Sequence, residues 1–291
     1  MLGRHRMAGT PMNTGYFAEV KTVQLSDGEI RYARTGTGTP LVLLHTLRVQ
    51  LEYFFPLVDQ LDKSRFDVIV PDLPGHGRSG AAKVDYTAMY FADRIEELLD
   101  AWGVHDTVLV GESIGASIAL ELAARHNPRV ARVVALNPYD YGRRGGIRRS
   151  SGLANVVFTA MLWPGVGPVV ARVRNKAVLR RILYGGLHDP KHLPDGLVEA
   201  LRDSGGLPGH AAAFRSLMRN WRTWIEARSH FPHISVPVTL SYGEDDWSRP
   251  SERDANARAI PGVHALTLSA CGHFSSLERP ADIARLIEEG P

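Results

Sequence analysis

The stretch Val108-Leu109-Val110-Gly111-Glu112-Ser113-Ile114-Gly115 decides how the rest of the chain reads. Its first three residues form a short apolar run, the pattern of a strand buried on both faces. Two glycines then flank Ser113, and the sequence continues as a helix over Ile114–His126. In a strand–turn–helix of this kind, G-x-S-x-G lifts the serine hydroxyl above the C-terminal edge of a sheet, near the positive end of a helix. The glycines are needed because the helix backbone passes close behind the strand. The spacing therefore makes Ser113 a nucleophile; the plainer alternative is a packing turn of small residues.

Working outward, the period of the apolar residues alternates between strand and helix. Val20–Leu25 and Glu29–Ala33 read as strands around Ser26-Asp27-Gly28. Leu41–Leu44 and Phe66–Val70 read as buried strands with a helical segment, Leu51–Leu61, between them, and Thr87–Trp102 has helical spacing. Val130–Leu136 is again a strand. The alternation stops there and resumes at Val236–Tyr242, Ser251–Ile260, Val263–Leu268 and Ala281–Glu289. Such repetition predicts βαβ crossovers and a mostly parallel sheet with helices on both faces. Residues 141–232, helical in character without clear strands, read as a helical cap inserted into a core of residues 16–140 and 233–291. Residues 1–15 read as a disordered tail with no secretory core, which gives a cytoplasmic expectation.

A serine needs a base, and the base a partner that fixes its tautomer. His273 follows the last strand in Ser269-Ala270-Cys271-Gly272-His273-Phe274. Three carboxylates are placed to orient it: Asp246 and Asp245 in Gly243-Glu244-Asp245-Asp246-Trp247, and Asp140 in Asn137-Pro138-Tyr139-Asp140. Cys271 is close to the histidine, but the elbow serine is the stronger candidate.

Composition excludes other classes. Of 291 residues, 44% are hydrophobic and 22% charged, which argues against disorder and collagen-like architectures. One cysteine excludes an intramolecular disulfide and any multi-cysteine metal site. A net charge of +3, without a basic arm, gives no case for nucleic acid. No Walker or Rossmann spacing is present. His188 and His192, and His230 and His233, have spacings that invite a metal, but a proline inside each pair disrupts the helical geometry; they read as solvated loop histidines, with no metal expected.

Taken together, these motifs resemble those of capped, single-domain α/β-hydrolase-fold proteins, similar to haloperoxidase-like esterases, lipid hydrolases and C–C bond hydrolases. Pro71-Asp72-Leu73-Pro74-Gly75-His76-Gly77-Arg78-Ser79 resembles the family's D-x-P-G-x-G-x-S loop, and Gly272-His273 with Glu278 and Pro280 its histidine loop. Gly243-Glu244-Asp245-Asp246 resembles G-x-x-D, which puts Asp246 ahead of the other two carboxylates. The resemblance implies an oxyanion hole from the amides of Leu47 and Ile114. One segment departs: where the family has His-Gly, this chain reads His45-Thr46-Leu47-Arg48. Thr46, Arg48, Glu112 and Trp247 are candidates for substrate contact, with Glu52, four residues on, as the alternative partner of Arg48.

The expected function is a serine hydrolase acting through an acyl-enzyme on an ester, lactone or thioester of a partly apolar small molecule, with no cofactor. The same pocket used for C–C cleavage, acyl transfer or cyclisation is the alternative, and a non-catalytic receptor the reading from another class. Between Tyr141 and His188 there are nine Lys/Arg and no Asp/Glu, around the charge-free run Leu153–Ala171. Arg143, Arg144, Arg148 and Arg149 precede the run; Arg172, Arg174, Lys176, Arg180 and Arg181 follow it. They make either a solvated helix face or a cationic rim suited to an acidic lipid or a carrier-bound acyl group. Pro164 and Pro168 break the run, so short helices over a pocket are expected rather than a transmembrane span.

Overall fold

A computed structural model of the protein describes residues 19–142, 145–173 and 175–290. The expected tail (1–15) and the basic residues Arg143, Arg144 and Arg174 lie outside the described residues. Strands β1 (Glu19–Leu25) and β2 (Gly28–Gly36) form the expected hairpin. They are followed by β3 (Thr39–Leu44), α1 (Phe55–Gln60), β4 (Phe66–Pro71), α2 (Ala88–Trp102), β5 (Thr107–Glu112), α3 (Ile114–Ala124) and β6 (Val130–Leu136). The segment expected as one helix over 51–61 is a 3₁₀ turn, Leu51–Phe54, joined to α1. Pro56 explains the break: it has no N–H to donate and suits the first turn of a new helix.

The sheet has eight strands in the order β1-β2-β4-β3-β5-β6, then β7 (Val238–Gly243) and β8 (His264–Leu268). Pairings β1–β2 and β2–β4 are antiparallel and all others parallel. From β3 the chain steps one way to β4, then crosses back to β5 on the other side. Such a reversal opens a crevice at the C-terminal ends of the strands, where ligands bind in open α/β sheets. Ser113 follows β5 there, and His45-Thr46-Leu47-Arg48 follows β3.

Strand parity sorts the apolar residues into two cores. Val42, Leu44 and Leu109 face one core with α2 and α3; Leu41, Leu43, Val108 and Val110 face the other with α1 and α12 (Pro280–Glu289). Thr87 caps α2 by accepting from the Tyr90 N–H, and Gly103 ends it in the left-handed region. Its buried face, Phe91, Ile95, Leu98 and Leu99, contributes about 1.5–3 kcal/mol per side chain. All eleven residues of α3 are buried.

Between β6 and β7 the described residues form helices and no strand: α4 (Gly152–Met161), α5 (Gly167–Arg172), α6 (Lys176–Tyr184), α7 (Leu197–Ser204), α8 (His210–Arg219) and α9 (Trp221–Glu226). The charge-free run is split between α4 and α5 around Pro164-Gly165, and no helix among the described residues is long and apolar enough to cross a membrane. Helices α10 (Pro250–Ala259) and α11 (Ser275–Glu278) complete the fold.

Candidate active site

Close approach of backbone dictates the turn at Ser113. A Cβ on Gly115 would stand 1.9 Å from the Leu44 carbonyl oxygen, and one on Gly111 would stand 2.2 Å from the Gly115 carbonyl. Ser113 itself has φ 57° and ψ −115°, a conformation that costs a non-glycine residue about 1–3 kcal/mol. Three backbone hydrogen bonds hold it there: Ser113 N–H to Leu136 O (2.9 Å), Tyr139 N–H to Ser113 O (3.0 Å) and Ser117 N–H to Ser113 O (3.1 Å).

His273 and Asp246 meet from two loops. His273 Nδ1–H donates to Asp246 Oδ1 at 2.5 Å, and both side chains are fully buried. Asp246 Oδ2 accepts from the Tyr141 hydroxyl (3.1 Å) and the Ser248 N–H (2.8 Å). Burial alone would raise this carboxyl, but His273 and the Ser248 donors outweigh it and hold Asp246 at about 2, ionised. The proton on Nδ1 leaves Nε2 as the acceptor. Nε2 and Ser113 Oγ are both buried, and neither has a hydrogen-bond partner among the described residues. Bonds of this kind are often long in an empty site and tighten with substrate.

The competing carboxylates have other partners. Asp140 is buried and ion-paired with Arg228 Nε at 3.1 Å; burial raises it to about 6 despite that guanidinium. Asp245 is exposed and accepts from His188 Nδ1 at 2.6 Å. Of the three, only Asp246 reaches His273.

Several residues that anchor the site carry no sequence signal. Tyr141 donates to Asp246 as above. Asn137, with φ 46°, donates to His273 O (3.0 Å) and accepts from the Gly243 N–H (2.9 Å), tying the ends of β6 and β7 to the histidine loop. Gly186 O, just beyond α6, accepts the His273 N–H at 2.7 Å. The Trp247 ring stacks on the imidazole, centroids 3.8 Å apart, and its Nε1–H donates to Gly185 O.

Ser113 opens into a pocket of about 610 Å³, its mouth included. Thr46, Leu47, Arg48 and Trp247 line it, with apolar walls from Ile147, Phe158, Ile182 and Phe274 among others. Ile114 is the first residue of α3, so its N–H is one of the donors a helix leaves unpaired. In the segment that departs from the family pattern, the left-handed residue is Arg48 (φ 61°) and not Thr46. Buried His45, lowered to about 4 by burial, donates from Nδ1 to Thr46 O and accepts the Leu73 N–H at Nε2, fixing the start of the loop.

Other expectations need correction. Glu52 is not the partner of Arg48; it pairs with Arg31 and accepts from Gln50. His188 is bonded to Asp245, and His230 to Glu121 at 2.8 Å, so neither is merely solvated. No cluster of three or more His, Cys, Asp or Glu that could hold a metal occurs among the described residues. Burial pushes the Cys271 thiol to about 12, so it is not a thiolate near neutral pH. Arg172, Arg180 and Arg181 are exposed, Lys176 pairs with Glu199, and Arg149 with Glu252; none of them lines the pocket.

Glu112 does not line the pocket either. It continues the parity of Val108 and Val110 and so faces the opposite core, where it accepts from the Tyr53 hydroxyl at 2.8 Å. Burial raises it to about 7, against the lowering effect of its Tyr53 and Ser276 donors. The folded state therefore holds this proton more tightly than the unfolded chain, whose pKa is near 4.5. This contribution to stability is full below about pH 4.5 and is lost as pH rises through about 7, a change of about 3 kcal/mol. Gln, isosteric with the protonated acid, is expected to remove that dependence. In Glu112→Gln, thermal melts should show a higher Tm than the parent at about pH 8 and converge with it near pH 5; parallel curves would refute the assignment.

The geometry can be set beside known proteins. A family model described as alpha/beta hydrolase fold matches residues 39–280. A protein of Mycobacterium phage D29 named "putative non-heme haloperoxidase" is 35% identical over 264 residues, covering 86% of this chain and 90% of the relative. The 2-hydroxy-6-oxo-6-phenylhexa-2,4-dienoate hydrolase of Comamonas testosteroni is 24% identical over 95% of this chain and 96% of its own. The enol-lactonase of Burkholderia xenovorans superposes with a TM-score of 0.72 at 22% identity, covering 92% of this chain and 98% of that one, a likeness of fold. Matched over most of its length by the family model and at 35% identity by a near full-length relative, the chain belongs to the alpha/beta hydrolase family.

Proposed function

We propose that the protein is a serine hydrolase that cleaves an ester, lactone or thioester of a partly apolar substrate through an acyl-enzyme. The observation that carries this reading is the fixed tautomer of His273: Asp246 accepts the hydrogen bond from Nδ1–H and leaves a bare Nε2, while Ser113 Oγ stands bare in an apolar pocket. In this reading Ser113 Oγ attacks the carbonyl carbon and passes its proton to Nε2. Asp246 holds the imidazolium that forms. The Leu47 and Ile114 amides donate to the developing oxyanion, a contribution on the order of several kcal/mol. His273 then protonates the leaving group, and a water that it deprotonates releases the acid. Residues 141–232 serve as the cap, which supplies most of the apolar wall. Likeness to the Comamonas dienoate hydrolase favours a second reading, hydrolysis of such a dienoate in the same pocket.

A fluorophosphonate probe tests the first reading, since it reports a reactive serine whatever the natural substrate. Intact-mass and peptide analysis is expected to find one adduct, on Ser113, absent after His273→Ala. Absence of labelling in the folded parent protein would refute it.

A further inference from the structure

Beside the Ser113 pocket lies a second, smaller recess, about 310 Å³ with its open mouth included. Arg48 and Leu201 line both spaces and so stand between them. The recess is completed by His76, His210, Ser204 and the glycine-rich loop around Gly75. Among the described residues, neither space is lined by an Asp or Glu, and Arg48 is the one Lys or Arg that lines either. Its guanidinium carbon lies 4.2 Å from the centre of the Phe214 ring, within cation–π distance, which holds the charged group at the boundary of the two spaces.

His210 supplies an independent observation. It is only 5% exposed, its Nδ1 lies 3.3 Å from Pro208 O, and its Nε2 is buried with no hydrogen-bond partner among the described residues. A buried polar atom without a partner is unfavourable, and one lining a recess is a place for a ligand's polar group. His76, also 5% exposed, is held by its Nδ1–H bond to Pro74 O at 3.0 Å, so the wall beside it is fixed.

We propose that this recess is a carboxyl subsite, and that the substrate of the Ser113 pocket carries a carboxylate at the end remote from its scissile carbonyl. The carboxyl group meets both polar features. One oxygen accepts from the Arg48 guanidinium; the other faces His210 Nε2, and the two share one proton taken up from solvent when the carboxylate binds. The hydrocarbon between carboxylate and carbonyl runs past Leu201 along the apolar wall. The remote carboxylate rests on the hydrolase reading only for the bond that is cleaved; the subsite itself does not.

Binding to the Ser113→Ala protein separates the two, because no turnover is required. By calorimetry, monomethyl suberate is expected to bind at least about tenfold more tightly than dimethyl suberate, as a charge-assisted contact implies. In the same background Arg48→Met should lower that preference about ten- to a hundredfold, Arg48→Lys should retain part of it, and His210→Phe should reduce it. Thermal melting checks that each variant folds; should Arg48→Met fail to, His210→Phe and Arg48→Lys still decide. Equal affinity for the two esters overturns the subsite, as does a preference that survives both Arg48→Lys and His210→Phe intact. If the preference holds while fluorophosphonate labelling fails, the hydrolase reading falls and the subsite stands.

Discussion

Ser113→Ala is expected to lower kcat/KM for p-nitrophenyl butyrate by on the order of 10⁴-fold or more while leaving the fold intact. The loss is large because the hydroxyl supplies the bond-forming atom, and no neighbouring group can replace it: the Cys271 thiol is held near 12 by burial and bonded within its own loop. The fold should persist because alanine keeps the Cβ, so the φ of 57° is no more strained than before, and because the three hydrogen bonds that hold residue 113 are all made by backbone atoms. Asp246→Asn should come close in effect. An amide in place of the carboxylate favours the other imidazole tautomer, putting the proton on Nε2 and removing the base. Steady-state kinetics with far-UV circular dichroism checks both. Activity in Ser113→Ala within tenfold of the parent would move the reaction to another group.

The largest effect on stability is expected at Gly115. A methyl group there would sit 1.9 Å from the Leu44 carbonyl oxygen and 2.5 Å from its carbon. Backbone cannot yield as a flexible side chain would, so α3 and β3 must move apart. Both are committed to the interior: Leu41 to Leu44 are fully buried, and every residue of α3 is buried. Separating them opens the core that α2 and α3 share with β3 at the centre of the sheet. A loss of about 4 kcal/mol or more is expected in Gly115→Ala, at the far end of what single substitutions do and a large share of a typical domain's margin. Urea denaturation measures it; a loss below about 1 kcal/mol would mean that the turn relaxes far more easily than its contacts imply.

The central part of the fold was legible because its signals are local. Leu41–Leu44, Val108–Val110 and Val130–Leu136 are apolar runs of strand length, each paired in the sheet within a residue or two of its expected bounds. The elbow was legible because steric exclusion writes glycines at fixed offsets. Which carboxylate serves His273 was undecidable by position alone, since Asp140, Asp245 and Asp246 all follow strand ends. What separates them is the company each keeps: Arg228 for Asp140 and His188 for Asp245. Those partners come from the helical segment between β6 and β7, far off in the chain, and no periodicity announces them. His230 likewise finds Glu121 at 109 residues' remove. Glu112 is different: it was expected at the pocket, and the alternation of Val108 and Val110, which points it to the opposite core, was the signal missed.

The backbone of Ser113 has a consequence for how the chain is kept. At φ 57° and ψ −115°, only glycine would sit without penalty, and the penalty is about 1–3 kcal/mol in a molecule whose whole margin is several times that. Under selection for folding alone, drift would carry this position to glycine, since the change relieves strain and breaks none of the backbone bonds that hold it. A serine side chain at this strained turn costs the structure stability that glycine would return, so its β-carbon and oxygen point to a use outside folding.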